Sequence, residues 1–140
     1  MRIVLTLLLW MSLSVSASEF HRTKALAEQG HADAQINLGL MYAKGQGGVT
    51  QDFKEAIRWY KAAAEQGYAE AQFNLGIMYG LGNRRQDYKL IHMWYNLAAA
   101  NGLEDAVKNR DMVARQMTAT DIAVAQQMAK KWLAAHPAAQ

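Results

Sequence analysis

Small and apolar residues recur along this chain at three- and four-residue spacing, and the pattern that carries them is written twice. Ala34-Gln35-Ile36-Asn37-Leu38-Gly39-Leu40-Met41-Tyr42 returns 37 positions later as Ala71-Gln72-Phe73-Asn74-Leu75-Gly76-Ile77-Met78-Tyr79. Asp52, Trp59, Tyr60, Ala62, Ala63 and Gly67 return 35 positions on as Asp87, Trp94, Tyr95, Leu97, Ala98 and Gly102. Within the first copy Ala34, Leu38, Met41 and Tyr42 share one face of a helix. A fixed period of about 36 residues, carried by small and aromatic positions, is the mark of stacked helical repeats. No alternation of period two runs long enough to argue for a strand.

The elements follow from that period. Lys24-Ala25-Leu26-Ala27-Glu28-Gln29-Gly30 copies Lys61-Ala62-Ala63-Ala64-Glu65-Gln66-Gly67, so residues 18–30 predict half a repeat, a B-type helix serving as an N-terminal cap. Repeat one spans 31–67, with an A helix over 32–44 and a B helix over 52–66 capped by Asp52. Repeat two spans 68–102, its B helix running 87–101. Gly30, Gly67 and Gly102 each follow an Ala-rich run and suit the left-handed residue that ends a helix. Gly39 and Gly76 fall inside helices, where glycine costs up to about 1 kcal/mol. Close approach of a neighbouring helix, against the Trp59 or Trp94 ring, is the expected compensation. A third A helix starts near 103 but is degenerate: Asp111 and Ala114 stand where Gly76 and Tyr79 would recur. Thr118, Asp121, and the pair Met117 and Ile122 then announce a last helix, whose stripe Ile122, Ala125, Met128, Ala129, Trp132 closes the stack. Seven helices are predicted in one domain over 18–140.

Composition sharpens this. One proline, at 137, and 51% hydrophobic residues favour helix and exclude a disordered chain. The first 17 residues have the form of a cleavable export signal: Arg2, the apolar run Ile3 to Leu13, then Val15-Ser16-Ala17. The run is too short for the ~20 residues that span a bilayer, so no stable membrane anchor is expected. A periplasmic location follows, with secretion as the second choice. There is no cysteine, which removes disulfides, thiolate metal sites and cysteine nucleophiles. The net charge of +3, without a basic run, gives no footprint for nucleic acid.

The string Ala-x-x-x-Leu-Gly-x-Met-Tyr, a Gly-rich loop, then Asp-x-x-x-Ala-x-x-Trp-Tyr-x-x-Ala-Ala-x-x-Gly resembles the Sel1-like repeat, a relative of the tetratricopeptide repeat. The likeness covers residues 25–102. Loop one carries an extra glycine, Gly47-Gly48, and loop two has Arg84-Arg85 in place of a Gly-Val pair. The resemblance implies an all-α, right-handed superhelix (solenoid) of antiparallel helix pairs whose concave face, lined by A helices, binds proteins. It implies an adaptor or scaffold in the bacterial envelope, or an immunity protein that neutralises a dedicated toxin. Some cysteine-rich relatives have been proposed as β-lactamases; this chain lacks those cysteines.

Catalysis finds little support in the residues. His21, His31, His92 and His136 have no i,i+4 partner, no serine lies in the repeats, and the carboxylates sit at helix caps or exposed positions. Neither a catalytic site nor a cofactor or metal is expected, and a cell-wall hydrolase is the rival class. The loop at 44–51 lacks the Gly-Lys-Ser/Thr of a phosphate loop and reads as a turn with positive φ. Trp59, Tyr60, Trp94, Tyr95, Tyr42 and Tyr79 recur with the repeat, as core aromatics do, although a ligand box would use the same residues. The expected partner is a protein or peptide, bound by a monomer. On the A helices Ile36 and Leu40, Phe73 and Ile77, and Lys108 and Met112 form rows four residues apart, flanked by Gln35 and Gln72. If the rows face the concave side they make a groove for a partner's segment; the same rows equally suit ordinary core. Arg84, Arg85 and Lys89 form a basic cluster, either a clamp for an acidic segment or a solvated loop.

Overall fold

The computed structural model describes residues 16–82 and 87–140, and these are helical with no strand among them. Helix α1 covers 16–28, followed by α2 (Ala32–Lys44), α3 (Phe53–Ala64), α4 (Ala69–Gly82), α5 (Tyr88–Ala100), α6 (Glu104–Ala114) and α7 (Ala119–Ala135), then a 3₁₀ turn, Pro137–Ala139. The seven helices stand where the sequence period places them. The chain divides into two compact units, Met1–Trp59 and Tyr60–Gln140, with the division inside α3. Most of the expected export signal, residues 1–15, lies outside the described residues, as do Arg84 and Arg85.

In the first unit, Phe20 and Ala27 of α1, Ala34 and Leu38 of α2, and Trp59 of α3 form the core. Leu26, Met41, Tyr42 and Val49 pack against it, and the Phe20 ring meets Tyr42 edge-on at 5.9 Å. The glycine-rich loop finishes α2. Gly45, at φ 65°, and Gln46 both donate their N–H to Met41 O, Asp52 N–H reaches Tyr42 O at 2.8 Å, and Gln51 Nε2 reaches Ala43 O at 2.8 Å. Three of the four carbonyls that the helix end leaves over are thereby satisfied. Asp52 then caps α3, its Oδ1 accepting from Lys54 N and Glu55 N.

In the second unit α5 is the centre, with α4, α6 and α7 all packed against it. Its inward residues Ile91, Trp94, Tyr95, Leu97 and Ala98 are buried. Asp87 caps α5 and Thr118 caps α7, the latter accepting from Asp121 N at 3.1 Å. Of the α7 stripe, Ala125 and Ala129 are buried, Ile122, Met128 and Trp132 half-buried, and the Trp132 ring meets Trp94 edge-on at 5.3 Å. Gly67 shows why a glycine must follow α3. Its φ is +88°, and a Cβ there would sit 3.2 Å from the Cα of Ala139, which the 3₁₀ turn buries against it.

Candidate protein-interaction face

An A helix of this chain is built to approach its B helix closely. A Cβ on Gly76 would lie 2.5 Å from Cε1 and 2.8 Å from Cδ1 of Tyr95. The partner of the helical glycine is therefore the tyrosine of the Trp-Tyr pair, not Trp94: at this position on α5 it is Tyr95 that faces α4. Burial raises the Tyr95 hydroxyl above its ordinary pKa, while a hydrogen bond with the Asn109 side chain of α6 opposes the rise. One ring thus serves two A helices, lying under Gly76 of α4 and holding Asn109 of α6.

The two glutamines expected at the groove serve the fold instead. Gln35 Nε2 donates to Ala27 O at 3.2 Å, and Gln72 Nε2 donates to Ala64 O at 3.4 Å, eight residues back in both cases. Each reaches the last turn of the preceding B helix. Gln72 also accepts from Asn101 Nδ2 at 2.9 Å and has no exposed surface. Burial of a primary amide is tolerated because these bonds engage its nitrogen and, in Gln72, its oxygen as well. Both glutamines leave the partner-binding set, and so does Ile36, which is buried. The signal was in the sequence: glutamine recurs eight residues after an Ala-rich helix end.

In the second unit the remaining row residues lie at or near the surface. Phe73 and Ile77 of α4 are half-buried, and Phe73 packs its ring against Tyr95 at 5.5 Å. Met112 of α6 is 60% exposed, and Leu81, missed in the sequence reading, is 69% exposed one turn beyond Ile77. Lys108 is exposed and paired with Asp105 at 3.3 Å. In the first unit Leu40 is exposed. Lys89, of the basic cluster that suits either a clamp or a solvated loop, has its ammonium 3.5 Å from Asp121 of α7, so its charge is already met within the chain.

The physical contrast with α3 shows which helix surface is unusual. Helix α3 separates its polar residues (Lys54, Glu55, Arg58, Lys61) from its buried ones (Ala56, Trp59, Tyr60, Ala63). Helix α4, in AEAQFNLGIMYGLG, carries apolar residues on every side. One face, Ala71, Leu75 and Met78, is buried, whereas Phe73, Ile77 and Leu81 keep the other apolar without burying it fully. A helix apolar all round has more than one face to cover.

The recurring aromatics mostly fill the core. A small recess of about 270 Å³ does lie among Tyr79, Trp94, Trp132 and His136; Trp94 Nε1 is buried without a hydrogen-bond partner, whereas Lys61 and His136 are engaged. Lys61 Nζ sits 5.9 Å above the Tyr79 ring, and His136 lies 3.7 Å from Glu65 and 2.8 Å, through Nδ1, from Trp132 O. Among the described residues no three His, Asp or Glu side chains gather as a metal site.

Residues 32–68 and 69–103, just over half of the chain, match the family model described as Sel1 repeat. The chain belongs to the Sel1-repeat family. Two solved structures share the fold. One is c5321 of uropathogenic Escherichia coli, a protective antigen displaying an SLR fold, with TM-score 0.78 and 29% identity over 88% of this chain. The other is a Sel1 repeat protein from Oxalobacter formigenes, with TM-score 0.64 and 36% identity over 71% of this chain. The present chain spans 27% of the first and 41% of the second. No curated protein matches the chain. The all-α helix-pair solenoid class expected from the repeat is thus the fold of this Sel1-repeat protein. Proteins of this family are generally non-catalytic and act as protein-interaction scaffolds.

Proposed function

We propose that this Sel1-repeat protein is an exported bacterial envelope scaffold that binds a segment of a partner protein along the open faces of α4 and α6. The observation that carries the reading is the second apolar face of α4, Phe73, Ile77 and Leu81, together with exposed Met112 at the repeat position of Ile77. An amphipathic helix or extended peptide would bury these residues, and each large apolar side chain fully covered is worth about 1.5–3 kcal/mol. The form of residues 1–17 supports export, and the description of c5321 as a protective antigen fits a relative reachable by antibodies.

Capture from envelope extract tests the reading. The full chain should retain a partner that Met112→Glu and Leu81→Glu lose, with melting temperatures unchanged because both side chains are largely in water. Arg58→Ala, on the polar side of α3, should keep the partner. Loss with Arg58→Ala and retention with Met112→Glu would overturn the assignment of the face.

A further inference from the structure

The methionines of this chain differ sharply in their access to water. Met78 and Met93 are buried in the second unit, and Met41, Met117 and Met128 are half-buried. Met1 and Met11 lie outside the described residues. Met112, in the last turn of α6, is 60% exposed. Its neighbours on the helix surface, Lys108, Asp111, Arg115 and Gln116, are exposed as well, so the sulfur is open to small solutes.

The repeat makes the choice of residue informative. The equivalent positions on α4 and α2 hold Ile77 and Leu40, branched hydrocarbons with no lone pair. Phe73, Ile77 and Leu81 complete the proposed face, so Met112 brings the one thioether to it. A thioether packs like a hydrocarbon when reduced, but its sulfur takes up oxygen readily and becomes a polar, chiral sulfoxide. A polar oxygen carried into an apolar contact loses its bonds to water and gains none in return.

We propose that Met112 is a site of reversible oxidation by peroxides, and that its sulfoxide releases the partner from the face of α4 and α6. The inference rests on that face being the binding surface. In the step itself a sulfur lone pair attacks one oxygen of hydrogen peroxide. The S–O bond forms as the O–O bond breaks, sulfur loses two electrons to the peroxide, and the leaving hydroxide takes the remaining proton to depart as water. A methionine sulfoxide reductase reverses the change with a thiol as reductant.

The test treats the full chain with dilute hydrogen peroxide, removes the excess with catalase, and follows each methionine by peptide mass spectrometry. Met112 should be oxidised before Met41, Met117 and Met128, with Met78 and Met93 last, and this order should vanish in denaturant. The oxidised chain should melt at the unchanged temperature and hold the partner captured from envelope extract about tenfold more weakly, since the burial of one large apolar side chain is lost. Reductase treatment should restore capture. Met112→Leu, which keeps the apolar contact and removes the sulfur, should capture the partner equally before and after peroxide. Oxidation of Met112 no sooner than of the half-buried methionines overturns the proposal. So does undiminished capture by a chain oxidised at Met112, or an equal loss of capture by peroxide-treated Met112→Leu. If the untreated chain captures nothing, the binding face itself is wrong and the inference falls with it; capture by untreated and oxidised chains alike removes the inference alone.

Discussion

Helices α4 and α6 occupy the same position in successive repeats, yet they solve different problems. Helix α4 carries Gln72, Leu75 and Gly76 where α6 carries Val107, Arg110 and Asp111. The first three are buried; Val107 and Asp111 are exposed, Arg110 half-buried and paired to Asp111 at 2.8 Å. Ala71 and its counterpart Ala106 are both fully buried. An inner repeat must satisfy neighbours on several sides, so it needs a glycine under a ring and an amide between two helices. A terminal repeat needs one packed edge, and most of its remaining positions turn polar or charged. Met112 breaks that rule, which is why it carries weight in the functional reading.

The largest effect should come from Gly76→Val. Its branched side chain would collide with the Tyr95 ring, and overpacking of this kind typically costs about 1–3 kcal/mol. Asp111→Val on α6 should change the denaturation midpoint far less. Equal losses in chemical denaturation would remove the distinction between the two helices.

Next in size is Gln72→Leu, which removes the bonds to Asn101 Nδ2 and Ala64 O; Ala64 O keeps Gly67 N, so the cost is about 0.5–1.5 kcal/mol for each bond. The reciprocal change Val107→Gln, which writes the α4 residue onto α6, should stay within about 0.5 kcal/mol.

A third prediction concerns His92 of α5, buried at a place where repeat one has Ile57. Burial, then the nearby Arg110, lowers its pKa below the usual 6.5, with Asp111 opposing. The unfolded chain therefore takes up the proton first as acid is added. Stability should be level above about pH 6.5 and fall below it until the folded form also titrates, and His92→Ile should flatten that part of the curve. A slope unchanged by His92→Ile would mean that other groups set it. The smallest effect is expected from Lys89→Gln, whose exposed pair with Asp121 contributes at most about 1 kcal/mol.

Much of the fold was legible because repetition gives every packing residue a second reading. Helix limits, the caps Asp52 and Thr118, and the glycines after Ala-rich helix ends all follow from two aligned copies. Side-chain direction was not legible. Ile36 and Phe73 share a repeat position, yet one is buried and the other half-buried. Gln35 and Gln72 sit beside the apolar rows in sequence, but a 100° step per residue turns them inward to a carbonyl eight residues back. Residue size points to Trp94 as the neighbour of Gly76, but it is the adjacent Tyr95 that faces α4. Phe73→Asp would expose the Tyr95 ring as well as alter the face, so Met112 and Leu81 separate binding from stability better.

Amide hydrogen exchange on the full chain, with and without the partner captured by it, tests the central claim most directly. The account predicts slowed exchange in α4 and α6 on binding and little change along the polar side of α3. Protection confined to α3, with α4 and α6 unaffected, would contradict it.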